Sequence, residues 1–126
     1  MTDNDTTRHK RDRDGRLAED LAARFLERKG LRVVARNYRC RGGEIDLVCR
    51  DGQALVFVEV RLRRNTAFGG AAASVTSTKQ RRIILAAQHF LMSQSATGSD
   101  CRFDCILLDD VAGDRIEWLR NAFSLD

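Results

Sequence analysis

Long apolar segments are absent from this chain of 126 residues, in which 32% of the side chains are charged. No stretch approaches the roughly 20 apolar residues that a membrane-spanning helix requires. The polar start, MTDNDTTRHKRDRD, also lacks the apolar centre of a secretory signal peptide. We therefore expect a cytoplasmic protein without membrane spans. The length suits one domain, because a chain of this size can bury one core and is too short for two.

Histidine is scarce, and the cysteines lack the spacing of a zinc site. The four cysteines include no C-x-x-C pair, and both histidines lie far from them in sequence. Structural zinc sites usually contain such closely spaced ligands. The pattern argues against zinc and favours Cys49, Cys101 and Cys105 as small apolar residues packed inside strands.

Acidic residues are few in the first part of the chain. Residues 1–99 contain 19 lysines and arginines against 11 acids, whereas residues 100–126 contain 3 against 7. The net charge of +4 conceals this asymmetry. A positive field around a small acidic cluster suits a phosphodiester substrate with a metal ion, although ordinary cytosolic proteins also reach such values.

The start of the chain predicts a disordered polar tail at residues 1–13, because it has mixed charge and no periodicity. A single domain then spans residues 14–126. Apolar residues repeat at helical spacing from an N-cap at Asp14 until Gly30 ends the helix. Glu19 lies in the first turns of this helix. It either points along the sheet edge toward a site or stabilises the helix N-terminus, and the pattern leaves both open.

Residues 42–64 predict the centre of the fold, a hairpin of two strands joined by the dipeptide Asp51-Gly52. In that register Asp46 faces Phe57, and opposed residues share one face of a sheet. The residues expected on this acidic face are Glu44, Asp46, Phe57, Glu59 and Arg61. The residues expected on the opposite, core face are Ile45, Leu47, Val56, Val58 and Val60.

Carboxylates gathered on a half-buried strand face need a compensating positive charge. Mg²⁺ accepts oxygen ligands from one or two carboxylates, so Asp46 and Glu59 are candidate metal ligands. The alternative is a solvated face on which Glu44 and Glu59 form weak ion pairs with Arg61 or Arg63. The residues alone leave both interpretations open.

A second helix is predicted to start at Ser77, because residues 77–80 fit the S/T-x-x-E/Q capping box. That motif gives Gln80 a structural explanation. The same start places Lys79, Arg81 and Arg82 near a helix N-terminus, where free amides and the dipole favour anions such as phosphate.

The remaining segments complete a mixed α/β sheet. Small residues in 65–74 predict a mobile connection anchored by Phe68, and alternation predicts a strand at Cys101–Leu108. A short final strand follows near Arg115–Leu119, with Trp118 in the core. The expected order is helix, three strands, helix, strand and short strand, with a right-handed parallel crossover through the second helix and helices on both faces.

Four segments match, in order, a known family: GGEIDLV, LVFVEVRLRR, FGGAAASVTSTKQRRI and CRFD. The chain resembles the YraN-type bacterial proteins, which are assigned to the restriction-endonuclease-like, PD-(D/E)XK nuclease superfamily and look most like archaeal Holliday-junction resolvases. The resemblance covers about residues 14–123. It implies a restriction-endonuclease-like fold, DNA as the partner and, by analogy with resolvases, a homodimer.

The resemblance also implies roles for individual residues. Glu19 corresponds to the helix-borne acid, Asp46 to the central metal-binding aspartate, Glu59 to the acid of the E-x-K element and Gln80 to the polar residue of the next helix. Asp46 and Glu59 would hold Mg²⁺ or Mn²⁺. The chain departs from the pattern at Arg61, where the superfamily usually has lysine. Arginine stays protonated and cannot act as a base, but it can stabilise charge on a phosphate.

Three functions follow as hypotheses. The first is a nucleic-acid-binding protein of nuclease fold that acts as a Mg²⁺-dependent endonuclease on DNA or branched DNA, with Lys79 as a relocated lysine. The second is a non-catalytic nucleic-acid-binding module, and the third is a protein-interaction adaptor that uses the acidic C-terminal part. The residues expected to contact nucleic acid are Arg61, Arg63, Arg64, Lys79, Arg81 and Arg82.

Overall fold

Apolar periodicity along the chain produces two helices and five strands. The computed structural model describes residues 3–63, 75–113 and 115–124, without the side chains of residues 3–8 and 11. The elements are α1 (Asp3–Arg28), β1 (Arg32–Cys40), β2 (Gly43–Asp51), β3 (Ala54–Leu62), α2 (Ser77–Ser93), β4 (Cys101–Leu108) and β5 (Ile116–Phe123). Their order confirms the predicted order of helices and strands. The predicted phosphate contact Arg64 and the predicted connection at residues 65–74, which includes Phe68, lie outside the described residues.

The first helix begins at Asp3, so the predicted start at Asp14 is wrong. Much of the segment expected to be a disordered tail is therefore helical. No proline or glycine interrupts residues 3–14, so nothing there stops a helix that extends back from its packed part. The helix ends where predicted: Gly30 has φ +97°, and Leu31 N–H donates to the Leu26 carbonyl at 3.0 Å. This is the long bond of a Schellman motif.

The strands lie in the order β1-β2-β3-β4-β5. All neighbouring pairs are antiparallel except β3 and β4, which are parallel. The parallel pair is connected through α2, as a crossover requires. The sheet is thus the mixed α/β sheet that the sequence predicts. Its last strand is longer than predicted and ends at Phe123 instead of Leu119.

The β2–β3 turn consists of Gly52 and Gln53, so the predicted turn at Asp51-Gly52 is one residue too early. Asp51 pairs with Ala54 across the two strands. Gly52 has φ +61°, a conformation that glycine adopts easily at the first position of a tight turn.

The corrected turn changes which residues oppose each other. Phe57 pairs with Val48, so the predicted pairing with Asp46 is wrong. Continued to the end of the ladder, the register brings Asp46 level with Glu59. The displacement from the predicted register is two residues, an even number, so it leaves Asp46 and Glu59 on the same side of the sheet. The two acids therefore share a face and lie closer together than predicted.

Both faces of the sheet are buried, so the expectation of one core face and one acidic face is wrong. The core under α2 includes Val48, Phe57, Ile83, Ala87, Phe103 and Leu107. The core under α1 includes Ala22, Leu26, Leu47, Val58, Ile106 and Leu108. The predicted acidic face is the α2 side of the sheet, where the acids lie at the end of an apolar core.

Ile45 does not share a face with Leu47 as predicted. Ile45 packs in the core under α2, and Leu47 packs in the core under α1. The β1–β2 register passes from the pair of Leu47 directly to the pair of Tyr38 with Ile45. Between them in β1, Asn37 has φ +51°. This left-handed residue interrupts the regular alternation beside Asp46.

The second helix begins at Ser77 as predicted, but its N-cap is Thr76. The Thr76 hydroxyl accepts a hydrogen bond from Lys79 N–H at 3.2 Å. The Gln80 amide donates to the Val75 carbonyl at 3.0 Å, so Gln80 does not complete the predicted capping box. It stabilises the same helix end by another hydrogen bond.

The three cysteines that were expected to pack inside strands lie in β2 and β4. Cys49 and Cys105 are free and buried, and Cys101 is free and half-buried. In the parts of the chain that the structure describes, neither helix is long and apolar enough to cross a membrane.

The β1–β2 turn lies directly against α2. A Cβ atom placed on Gly43 would come within 2.4 Å of the Arg82 carbonyl oxygen and 3.0 Å of the Ala86 nitrogen. Only glycine permits this approach of a strand to a helix backbone. Tyr38, in the preceding strand, adds a hydrogen bond between its hydroxyl group and Nδ1 of His89. The turn is therefore held against the helix at two places.

We predict that Gly43→Ala lowers the free energy of unfolding by more than about 1 kcal/mol, because the added methyl group meets backbone atoms that cannot rotate away. Gly15→Ala is the matched control. Gly15 lies inside α1, and a Cβ there would have no neighbour within 4 Å, so that change should stabilise the protein by about 0.5–1 kcal/mol. Urea denaturation measures both, and equal effects would contradict the close packing of the turn.

Candidate functional site

A small acidic cavity lies between the end of the hairpin and the start of α2. Its volume is about 30 Å³, which accommodates about one or two water-sized groups. The lining residues are Glu44, Asp46, Glu59, Lys79, Arg82 and Ile83. The acids come from β2 and β3, and the two cations come from α2. The cavity thus combines side chains from the two strands of the hairpin and from the helix that follows them.

Asp46 is the residue whose ionisation the fold alters most at this cavity. Val60 N–H donates a hydrogen bond to Asp46 Oδ2 at 2.8 Å. Burial, followed by the negative charge of Glu59, raises the pKa of Asp46 from 3.8 to about 8, although the Val60 bond and Lys79 oppose the shift. The Asp46 carboxyl group therefore binds a proton at neutral pH unless another cation takes its place.

Glu59 is 5% exposed and has a cationic partner from α2. Lys79 Nζ donates a hydrogen bond to Glu59 Oε1 at 2.8 Å. A buried carboxylate needs such a partner, because removing the partner leaves an uncompensated charge in the interior. Lys79 therefore supplies positive charge at the place where the sequence predicts a metal-binding acid.

Glu19 belongs to the same electrostatic neighbourhood. Burial raises the pKa of Glu19, and a hydrogen bond from Asn37 and the charge of Arg36 partly oppose the shift. The charge of Glu19 in turn raises the pKa of Asp46. Because α1 begins at Asp3, Glu19 lies well inside the helix, and stabilisation of the helix N-terminus does not explain it.

Arg61 and Gln80 occupy different surroundings. Arg61 lies on β3 two residues beyond Glu59, and its charge lowers the pKa of Cys105 while burial and Glu59 raise it to about 12. Arg61 is therefore near the acids and on their side of the sheet. Gln80 does not line the cavity; its amide is bonded to the Val75 carbonyl.

The other predicted basic residues divide into two groups. Arg63 is already paired, with Nη2 at 2.7 Å from Asp109 Oδ1 and Nη1 at 3.5 Å from Glu117 Oε1. These contacts join β3 to the end of the sheet. Arg82 lines the cavity, and the exposed Arg81 donates to the Thr78 hydroxyl at 3.3 Å. Among the described basic residues, Lys79 and Arg82 line the cavity.

Asp104 is an important charged residue that the sequence analysis did not single out. It is completely buried, and its oxygens accept hydrogen bonds from Arg102 Nε at 3.0 Å, Trp118 Nε1 at 2.9 Å and Asn121 N–H at 2.9 Å. These partners satisfy the carboxylate, so its role is to join β4 to β5. The sequence contained one sign of this role: an acidic residue inside the mostly apolar strand CRFDCILL is expected to be buried and hydrogen-bonded.

The donor chemistry of the cavity fits a hard divalent cation. Within the described ranges, no group of three or more His, Cys, Asp and Glu side chains is placed to hold a metal ion. Magnesium, however, commonly binds through one or two carboxylates and keeps several waters. Asp46 and Glu59 provide two such carboxylates. The raised pKa of Asp46 means that its negative charge is unfavourable there without a nearby cation.

Fold and site together define a class: in its described residues, this is an α/β protein with one helix on each face of a five-stranded mixed sheet. The half-buried Asp46 and the buried Glu59 lie together at the end of its central hairpin. Residues 18–108 match the sequence profile of a family described as uncharacterised protein family UPF0102. The chain belongs to this family, which confirms the YraN-type resemblance.

Relatives of the same family match over nearly the whole chain. A UPF0102 protein of Dechloromonas aromatica (strain RCB) is 60% identical over 123 residues, which cover 98% of this chain and 95% of the relative. One from Ralstonia pickettii (strain 12J) is 60% identical over 116 residues, covering 89% of this chain and 90% of the relative. One from Aeromonas hydrophila is 52% identical over 111 residues, covering 86% of this chain and 83% of the relative.

We predict that Asp46→Asn stabilises the metal-free protein progressively as the pH rises from about 4 to 8. The pKa of Asp46 is raised to about 8 in the folded protein, so the folded state binds one more proton than the unfolded state in this window. Wild-type stability consequently falls with rising pH, by about 1.4 kcal/mol per pH unit from this group. Asparagine does not titrate and avoids the loss.

Urea denaturation at several pH values, in buffer with a chelator, measures this difference. Asp12→Asn is the matched control, because Asp12 lies exposed on α1 and should follow the wild-type curve. A constant difference between Asp46→Asn and wild type across the window would show that the pKa of Asp46 is not raised.

Proposed function

We propose that the protein is a nucleic-acid-binding protein of nuclease fold that hydrolyses phosphodiester bonds in DNA with Mg²⁺ or Mn²⁺. The observation that carries the proposal is the pair of half-buried Asp46 and buried Glu59 beside Lys79. Two neighbouring acids in a small cavity favour a divalent cation, and the basic end of α2 favours the phosphate that would accompany it. The resemblance to PD-(D/E)XK nucleases supports the same assignment.

Three acidic residues have distinct roles in the proposed site. Asp46 and Glu59 would hold the metal, which when bound supplies Lewis-acid activation of water and of a phosphate oxygen. Glu19 can accept a hydrogen bond from a water at the margin of the site, because its pKa is raised and it lies close to Asp46.

Lys79 is proposed to replace the lysine that is missing at position 61. Its Nζ is already fixed at 2.8 Å from Glu59, so its charge lies at the acids without help from β3. Arg61 would stabilise negative charge on the phosphate through its guanidinium group. In this arrangement the two positively charged side chains at the site come from different elements: Lys79 from α2 and Arg61 from β3.

DNA is the proposed partner because the cavity is bordered by arginines on the outer side. Arg81 and Arg82 lie in the first turns of α2, where the helix dipole adds to their attraction for phosphate. A homodimer, which the resolvase resemblance implies, is proposed on that analogy alone.

A second candidate function is a non-catalytic nucleic-acid-binding module. The observation that favours it is the Lys79–Glu59 ion pair, which compensates Glu59 without any metal. If that pair is permanent, the acids only stabilise the fold, and the basic residues bind phosphate without hydrolysis. Such a module would bind DNA with the same affinity in magnesium and in chelator.

We predict that the purified protein cleaves labelled DNA in Mg²⁺ or Mn²⁺ and that Asp46→Asn reduces the rate more than about 100-fold. Changes at the outer partners of a metal site alone cost about 10- to 100-fold, so loss of a ligand should cost at least as much. Single-stranded, duplex and branched DNA should be tested, with gel analysis of products over time.

Asp46→Asn is a suitable variant because Asp46 binds a proton at neutral pH and asparagine has nearly the same shape. Asp12→Asn on the exposed side of α1 is the control and should keep full activity. Absence of any Asp46-dependent cleavage, on every substrate and with both metals, would rule out the hydrolytic function and leave the binding module.

A further inference from the structure

Two arginines at the β1–β2 turn were not among the predicted phosphate contacts. Arg39 lies near the end of β1, and Arg41 forms the turn together with Gly42, which has φ +84°. Both arginines are exposed, and the Arg39 side chain retains 74% of its accessible surface. The turn therefore projects two positive charges into solvent.

The turn is connected to the acidic cavity through Glu44. Arg39 Nε lies 3.6 Å from Glu44 Oε2, and Arg82 Nη2 lies 3.9 Å from Glu44 Oε1. Glu44 and Arg82 both line the cavity. One carboxylate thus bridges the turn to α2, and the positive surface of α2 continues across the cavity rim onto the turn.

The turn is also rigidly placed. Gly43 packs against the backbone of α2, and Leu85 of α2 would come within 3.1 Å of a Cβ on Gly42. The hydrogen bond between Tyr38 and His89 fixes the strand that leads into the turn. A charged group on a fixed backbone loses less conformational entropy when it binds a ligand, so more of its attraction for phosphate contributes to the binding affinity.

We propose that Arg39 and Arg41 form a second phosphate-binding edge of the site and contact the sugar-phosphate backbone of a nucleic acid on the side of the cavity opposite β3. The assignment rests on the proposed function, because the cavity must receive the same nucleic acid. A linear polyanion suits this surface, since the cations lie on two elements at either side of the acids and not in a single pocket. Glu44 keeps Arg39 and Arg82 close to the rim until phosphate competes for them.

The test is the salt dependence of DNA binding by Arg39→Gln/Arg41→Gln. A fluorescently labelled duplex and a labelled single strand are titrated between about 50 and 200 mM salt, in chelator so that no cleavage occurs. Each lost phosphate contact lowers the slope of log K against log salt by about 1. We expect a slope smaller by about 2, so that the loss of affinity relative to wild type is about tenfold greater at the lower salt than at the higher.

The matched control is Arg24→Gln/Arg28→Gln, which removes the same charge from the exposed side of α1 and should leave the slope unchanged. Arg39→Lys/Arg41→Lys should restore most of the slope, which separates lost charge from misfolding. An equal slope change in the turn variant and the α1 variant would overturn the inference, although wild-type binding and Asp46-dependent cleavage would leave the proposed function standing.

Two other outcomes would also show that the arginines of the turn do not bind nucleic acid. If wild-type protein binds neither DNA at the lower salt, the inference fails together with nucleic-acid binding. If polyglutamate of equal charge displaces the DNA as effectively as unlabelled DNA does, and this competition is lost in the turn variant, the edge belongs to an acidic protein partner instead.

Discussion

The burial of two carboxylates beside each other is the constraint on which the rest of this site depends. Asp46 and Glu59 come level at the end of the hairpin, and neither can be charged there without compensation. The fold supplies two solutions at once: Lys79 neutralises Glu59 at 2.8 Å, and the pKa of Asp46 rises to about 8. Glu19 adds a third acid to the same field. Because the Asp46 carboxyl group binds a proton when no metal ion is near, a divalent ion at this cavity could replace that proton and compensate both acids.

The surroundings follow from the same constraint. The cations that compensate the acids come from α2, whose position is fixed by its contact with the β1–β2 turn at Gly43. Arg63, by contrast, joins β3 to Asp109 and Glu117 and stabilises the sheet. Asp104 performs a similar structural task at β5. These charged residues thus contribute either to the acidic cavity or to the far side of the sheet.

Much of the fold could be predicted because periodicity is a local property. Gly30 ended the first helix, Ser77 began the second, and Cys101–Leu108 had the predicted bounds. The turn at Gly52 was misplaced because Asp-Gly is a frequent turn pair and single-residue differences leave the local pattern almost unchanged. The acids at 46 and 59 were nevertheless placed on one face, since that depends only on alternation. The Lys79–Glu59 bond, the role of Asp104 and the approach of Gly43 to α2 depend on contacts between distant segments, which no local pattern contains.

The most direct test of the account is a crystal structure of the wild-type protein grown or soaked with Mn²⁺, with the ion located by its anomalous scattering. The account predicts an ion bound to carboxylate oxygens of both Asp46 and Glu59, with Lys79 displaced from Glu59, and no such ion in Asp46→Asn crystals treated in the same way. An intact Lys79–Glu59 bond with no ion at these two acids, in crystals saturated with Mn²⁺, would contradict it.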